Sequence, residues 1–158
     1  MRKYSINGNA VTRGTMGMKS ESNLSILLQS MEPEIDAEEY IFCSSAVCVQ
    51  KSAASDVWAV ITEAEGKTFI LKKKNADENE IPYESVFKKI TLNVYSSLTA
   101  VGLTAAVASA LASYGISANV VAGYYHDHIF VQSEKSASAV KCLKELAASE
   151  ASVSAAKQ

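Results

Sequence analysis

The clearest pattern in the chain is a strict alternation of apolar and polar residues that leads into its second half. Ile90, Leu92 and Val94 are apolar, and the residues on either side of each are polar. Because successive side chains of a strand point to opposite faces, this alternation predicts a strand that starts near Val86. One face of this strand is expected to be buried and the other polar.

Apolar residues then change to helical spacing. Leu103, Val107 and Leu111 fall on one face of a helix predicted over about Val101–Tyr114. Gly115 is expected to end this helix, because glycine adopts the left-handed conformation at no steric cost. The other elements predicted here are strands at Ile116–Gly123 and His128–Gln132 and a helix after Ser133 with Ala139, Val140, Leu143 and Leu146 on its inner face.

The first half of the chain shows a helix, a strand, a hairpin and a helical turn. Ser22 is expected to cap the helix and Pro33 to end it, since the residue before a proline avoids the helical region. Glu65-Gly66 between two β-rich runs is a hairpin signal. The predicted elements are a helix with Leu24, Leu27, Leu28 and Met31 on one face, strands at Tyr40–Val49, Val57–Thr62 and Thr68–Leu71, and a helical turn at Asn75–Asn79.

This order of elements predicts an α+β fold in which helices cover one face of an antiparallel sheet. Residues 1–21 lack periodicity and are rich in Gly, Ser, Asn and Thr, so they are expected to form a disordered leader. The predicted divisions are an N-terminal half at 22–84, a C-terminal half at 85–148 and a frayed tail at 149–158.

Composition and charge give no reason to expect nucleic acid or a membrane as a partner. The 158 residues include 15 basic and 17 acidic side chains, for a net charge of −2. The longest basic run, Lys72–Lys74, is followed at once by acidic residues and indicates a solvated strand end. No stretch approaches the roughly 20 apolar residues of a membrane span. The N-terminus lacks the apolar segment of a secretory signal, so a cytoplasmic location is expected.

The number and spacing of the cysteines also favour a cytoplasmic location. Cys43, Cys48 and Cys142 are odd in number, and no two of them have CxxC spacing. They are interpreted as small buried apolar residues rather than as a disulfide framework, which favours a reducing compartment.

Most of the chain, from about Leu24 to Leu146, resembles a group of small bacterial tandem ACT-domain proteins of uncharacterised function. The resemblance is carried by LLQSMEPEIDAEEYIFC at 27–43, TEAEGKTFIL at 62–71, and IPYESVFKKITLNVYSSLTAVGLTAAVASALASYGISANVVAGYYHDHIFV at 81–131. It implies two ACT-like halves, each with the ferredoxin-like βαββαβ fold. Val101 departs from the pattern, because many ACT domains carry proline or an acidic residue just before the glycine.

The resemblance also implies a place for a ligand. ACT domains that bind amino acids hold them between the loop after the first strand of one unit and the second strand of a neighbour. The corresponding positions here are Ser96, Ser97, Thr99, Val101, Gly102 and Leu103 on the loop side, and Asn119, Val120 and Val121 on the strand side.

The loop also has a physical case of its own. A helix N-terminus leaves about four N–H groups without partners and carries a partial positive charge, which suits a carboxylate. Gly102 would let a ligand or another backbone come close, and the amide of Asn119 could hold an ammonium or a carboxylate group. The alternatives are that Ser97 or Thr99 simply caps the helix and that Asn119 bonds a neighbouring loop.

His126 and His128 form the one cluster that resembles a metal or catalytic site. A zinc site needs three or four protein ligands, and the chain has no further histidine. The pair is therefore interpreted as a polar hairpin or as the rim of the ligand site. No nucleophile with a base partner, P-loop or GxGxxG motif is present, so no catalytic residue, metal or cofactor is expected.

Three functions follow from these patterns. The first is a non-enzymatic ACT module that senses or binds a small ligand, most simply an amino acid, as a homodimer. The alternative is a structural or interaction module that uses an open sheet face to bind a partner chain. A distant third is a metal-assisted enzyme that uses His126 and His128.

Overall fold

Six strands form one antiparallel sheet with helices packed on one side of it. The structure, a computed structural model, describes residues 20–44, 48 and 57–155. The strands are β1 (Pro33–Cys43), β2 (Val57–Thr62), β3 (Lys67–Lys72), β4 (Phe87–Leu92), β5 (Asn119–Ala122) and β6 (Asp127–Gln132). The helices are α1 (Leu24–Gln29), α2 (Lys73–Glu78), α3 (Leu103–Ser113) and α4 (Ser136–Ala155), and a 3-10 turn at Ser133–Lys135 precedes α4.

The two halves of the chain meet at the centre of the sheet. The strand order is β2-β3-β1-β4-β6-β5, and every neighbouring pair is antiparallel. At the centre Pro33 lies opposite Leu92 and Tyr40 lies opposite Phe87. Each half therefore contributes three strands in the same relative order, and the topology has an approximate twofold axis between β1 and β4.

The main core lies between the C-terminal half of the sheet and the helices α1, α3 and α4. Ile90 of β4 and Ile129 of β6 face the helices and are fully buried, as are Leu111 of α3 and Leu143 of α4. A smaller core packs α2 against Ile41, Phe69 and Leu71 on the same side of the sheet. The predicted α+β architecture, with the described helices on one face of an antiparallel sheet, is confirmed.

The end of α3 shows why this helix was predictable. The N–H of Gly115 donates to the carbonyl of Ala112, and the N–H of Ile116 donates to the carbonyl of Leu111, at 2.9 and 3.0 Å. Gly115 has a φ of 64°, in the left-handed region. These two bonds satisfy the last carbonyls of the helix, as the glycine stop predicted.

The face opposite the helices is concave and filled with aromatic side chains. The Trp58 ring on β2 lies 5.0 Å from the Phe130 ring on β6, centroid to centroid. These strands are four positions apart, which is about 19 Å across a flat sheet. The sheet therefore curls strongly toward this face. Phe130 and Ile70 are fully buried there, so the open sheet face expected by the interaction hypothesis is not found among the described residues.

The start of the fold differs from the sequence prediction. Asn23, rather than Ser22, caps α1, since its side chain accepts from the amides of Ser25 and Ile26. The helix ends at Gln29, and Pro33 opens β1 instead of ending a helix. A proline is tolerated at the first position of a strand, and the acidic residues after it concealed the strand. Observed β1 ends at Cys43, whereas the prediction continued to 49, and residues 45–47 and 49 lie outside the described residues.

The two ends of the chain also differ from expectation. Residues 1–19 of the expected leader lie outside the described residues, but Glu21 pairs with Ser96 in an isolated parallel bridge. The tail from 149 was expected to be frayed, whereas α4 continues to Ala155. Among the described residues, no helix is long and apolar enough to cross a membrane.

The cysteines are not all free. Cys43 at the end of β1 forms a disulfide with Cys48, contrary to the expectation of no disulfide framework. Cys142 is free and buried, as expected. Nothing in the spacing of Cys43 and Cys48 indicated their pairing. The pairing removes the cysteine argument for a reducing compartment.

Candidate functional site

The loop that joins β4 to α3 is shaped by hydrogen bonds around Ser97. Its hydroxyl lies 2.9 Å from the Thr99 hydroxyl and accepts from the Thr99 amide at 3.3 Å. The Ser97 carbonyl accepts from the amide of Ala100 at 2.9 Å. Ser97 and Thr99 thus build a turn, but neither caps the helix, because Gly102 is the N-cap and no side chain bonds that end of α3.

Gly102 occupies a conformation and a space that exclude a side chain. Its φ is 105°, and a Cβ there would lie 2.8 Å from Cδ2 of Leu24. The neighbour that comes close to this glycine is therefore a side chain of α1. Beside it Leu103 is buried, whereas Val101 is 84% exposed.

A segment just before α1 pairs with the same loop. The amide of Glu21 donates to the carbonyl of Tyr95 at 3.0 Å, and the amide of Ser97 donates to the carbonyl of Glu21 at 2.8 Å. These two bonds place the backbone of residues 20–23 alongside the loop, in a region that the sequence had assigned to a leader and a helix start.

Asp127 ties the loop to the start of β6. The Ser96 hydroxyl donates to Oδ2 of Asp127 at 3.0 Å. Asp127 is 9% exposed and is the one buried charged residue among the described side chains. Asp127 stands between His126 and His128, and no role for it was predicted from the sequence.

Asn119 does not meet the loop within one chain. It pairs with Phe130, whereas the loop contacts Asp127, three positions earlier on β6. That separation is about 10 Å along the strand. The Asn119 amide donates to the carbonyl of Phe130 at 3.1 Å, and its side chain lies on the concave face. Of the other predicted strand residues, Val120 packs toward the helices and Val121 toward the concave face.

The two histidines have different environments. His128 lies on the concave face, where its Nδ1 is 3.0 Å from the Thr91 hydroxyl and its ring packs edge-on against Trp58. His126 is in the turn before β6, and its Nδ1 is buried with no hydrogen-bond partner. The described residues contain no group of three or more His, Cys, Asp or Glu side chains able to hold a metal ion.

The concave face also holds a partly buried ion pair that sequence reasoning missed. Nζ of Lys89 is 3.0 Å from Oδ2 of Asp36, and the Tyr40 hydroxyl donates to the same oxygen at 2.8 Å. Nζ also stands 5.5 Å from the centre of the Tyr40 ring and 5.4 Å from that of Trp58. Lysine is thus held by a carboxylate and two aromatic faces.

These contacts shift several pKa values. Burial alone would raise the pKa of Asp36, but hydrogen bonds from the Glu38 amide, Lys89 and Tyr40 outweigh it and lower that pKa to about 2. Burial and the bond to Asp36 raise the pKa of Tyr40. Burial, assisted by the positive charge of Lys89, lowers the pKa of His128, so this histidine is neutral near pH 7.

Strand register explains why this cluster was missed. β1 changes its pairing with β4 between Ile35 and Glu39, and β2 changes its pairing with β3 between Val57 and Ala59. Such irregularities turn side chains to a different face, which simple alternation does not predict. The signal that could have led to the cluster was Lys89 itself, a lysine on the polar face of the strand predicted from Val86.

Comparison with known proteins supports an assignment of the fold. A family profile described as ACT domain matches residues 19–88, and a second ACT-domain profile matches residues 84–145. No functionally curated protein matches the chain.

Solved structures give the same result. A protein of unknown function from Vibrio cholerae is 47% identical, covers 78% of this chain and 95% of its own, and has a TM-score of 0.66. The regulatory subunit of aspartate kinase from Thermus thermophilus is 14% identical, covers 72% of this chain and 95% of its own, and has a TM-score of 0.54. The second likeness shows the fold alone.

Proposed function

We propose, because this chain belongs to the ACT-domain family, that it is a non-enzymatic sensor of an amino acid. ACT domains typically bind amino acids in regulatory roles. In this proposal the ligand carboxylate binds at the N-terminus of α3, and the protein acts as a cytoplasmic homodimer.

The observation that carries the proposal is the start of α3. Its N-cap is a glycine, and no side chain caps its first amides. Such an end offers N–H donors and a partial positive charge to a carboxylate. The hydroxyls of Ser97 and Thr99 lie in the turn that leads to it, so the loop combines donors with polar side chains.

Asn119 supports the proposal of two copies. It lies on β5, the strand at one edge of the sheet, about 10 Å from the loop of its own chain. Its side-chain N–H donates to the carbonyl of Phe130, while its side-chain oxygen has no partner among the described residues. That oxygen can accept from an ammonium group held by the loop of a second copy.

A matched pair of asparagine variants tests this site. Saturating ligand stabilises a folded protein by about 2.7 kcal/mol at a hundredfold excess over Kd. We expect at least one of the twenty amino acids to raise the melting temperature of the wild type, and Asn119→Ala to abolish the shift. Asn93→Ala serves as the control and should keep the shift in melting temperature. Asn93 is also exposed, and its side-chain amide donates to the carboxylate of Glu34. An unchanged shift in Asn119→Ala would remove this residue from the site.

An interaction module is the second candidate, and one surface favours it. Tyr95, Tyr124 and Tyr125 form a cluster with centroid distances of 5.8 and 4.9 Å, and Tyr124 is 66% exposed. Leu98, 67% exposed, lies in the nearby loop. Exposed apolar patches mark contact sites. If this function is the correct one, no amino acid will stabilise the protein, and Tyr124→Ser will weaken its self-association in sedimentation experiments.

A further inference from the structure

The segment from Ser20 to Leu24, called the strap below, lies against the β4–α3 loop, and we propose that it competes with the ligand for that loop. The inference rests on the proposed amino-acid site and adds a regulatory element to it. Ligand binding then requires the strap to leave, and the closed state is held by the protein itself.

The first contact of the strap occupies an N–H donor of the loop that precedes α3. The Ser97 amide donates to the Glu21 carbonyl at 2.8 Å. A carboxylate that binds the loop amides replaces this carbonyl, because one N–H makes one strong hydrogen bond. The return bond, from the Glu21 amide to the Tyr95 carbonyl at 3.0 Å, is then lost as well.

The second contact fills the space above Gly102. Cδ2 of Leu24 lies 2.8 Å from the position that a Cβ on Gly102 would take. A ligand group that approached this glycine would overlap the leucine side chain. Leu24 therefore blocks the same end of α3 at which the ligand carboxylate is proposed to bind.

The strap can move without unfolding the protein. The following residues of α1 are anchored, because Leu27 is fully buried and Leu28 is 3% exposed in the main core. Leu24 is only partly buried at the edge of that core. The described contacts of the strap with the loop are two backbone hydrogen bonds and the Leu24 side chain. Its release also opens the Asn23 cap of the short helix α1, while the sheet and the larger helices keep their own contacts.

Leu24→Ala tests the effect of the strap on ligand affinity. It removes the blocking side chain and should tighten amino-acid binding about tenfold, since a larger share of molecules is then open. Ile26→Ala is the matched control, because Ile26 is in the same helix and is 48% exposed. It should bind as the wild type does. Titration calorimetry measures both affinities.

Hydrogen exchange of the wild type gives a readout that needs no variant. Bound ligand should speed exchange of the Glu21 amide, which loses its acceptor, while the Ser97 amide stays protected by the ligand. If an amino acid binds but neither the Leu24→Ala affinity nor Glu21 exchange changes, the strap inference is wrong and the proposed function stands. If neither the wild type nor Leu24→Ala binds any of the twenty amino acids, both are overturned.

Discussion

A single glycine sets the geometry of the candidate loop. Gly102 combines a φ of 105° with a close contact from Leu24, and it is also the N-cap of α3. Any side chain at this position strains the backbone and pushes the leucine away. Loss of binding in a Gly102 variant would therefore not by itself locate a ligand, and Asn119→Ala is the cleaner test of the site.

Gly102→Ala should be more costly than the same change at Gly115. Gly115 has a φ of 64°, and nothing lies within 4 Å of the position that a Cβ would take. The cost of alanine there is therefore only the strain of a left-handed backbone. We expect Gly102→Ala to lower the free energy of unfolding by about 2 to 3 kcal/mol and Gly115→Ala by about 1 to 2. Urea unfolding measures both. Equal losses would show that Leu24 does not constrain Gly102.

Single residues were predicted correctly where their role depends on neighbours in sequence, as at the ends of a helix. Gly115 was recognised because a helix stop has its own chemistry, and the structure shows the expected bonds. Gly102 was expected near the helix start and is its N-cap. Asp127 and Glu21 were missed because their partners, Ser96 and Ser97, are distant in sequence and no periodicity links them.

Among the elements, β2 and β6 are coupled through the concave face. Trp58 from the first half contacts His128 from the second, beside the Lys89–Asp36 pair. His128 therefore lies where the two halves of the chain touch outside their central strands. A charge on His128 would stand next to the charge of Lys89, which makes this contact sensitive to pH.

Stability should fall as pH drops below about 6.5, the ordinary pKa of histidine. The pKa of His128 is lower in the folded protein than in the unfolded chain, so the unfolded chain binds the proton first. Proton binding stabilises the unfolded state relative to the folded state until pH falls to the folded-state pKa. Asp36 does not contribute in this window, because its stabilisation is lost only as pH falls from the ordinary aspartate pKa of 3.8 to the folded-state pKa of about 2. Urea midpoints at pH 8, 6.5 and 5 measure the effect.

A histidine variant isolates this pH dependence. His128→Gln should flatten the decline between pH 6.5 and 5, whereas Asn93→Gln, which changes an exposed side chain that does not titrate, should keep it. A decline of the same size in His128→Gln would mean that other groups cause it.

The strands that alternation or a turn marked were predicted well, and β1 was not. The β2–β3 hairpin was found because Glu65-Gly66 supplied a turn between two β-rich runs. The two strands pair as expected, from Val57 opposite Leu71 to Thr62 opposite Lys67. The strand β1 was misplaced because its first residues are a proline and several acids, which resemble a loop. Its central position in the sheet overrides that local preference.

At the scale of the whole molecule, the twofold topology places the two loops that follow β1 and β4 at opposite ends of the central strand pair. The loop after β4 lies against the strap. Most residues between β1 and β2 lie outside the described ones. The candidate loop of the C-terminal half therefore lies at one end of this strand pair.

The overall architecture was predictable and its curvature was not. Resemblance and the order of elements led to two ACT-like halves with helices on one face. The curl of the sheet depends on contacts such as Trp58 with Phe130, which join strands four positions apart. A pattern along one strand contains no information on such distances, and the aromatic filling of the concave face could only be seen in three dimensions.

Titration calorimetry of the wild-type protein with each of the twenty amino acids tests the central claim most directly. It measures binding to the whole chain and does not depend on where the site lies. We expect at least one amino acid to give a saturable heat of binding, with a fixed stoichiometry per chain. The absence of saturable binding by all twenty up to millimolar concentration would contradict it.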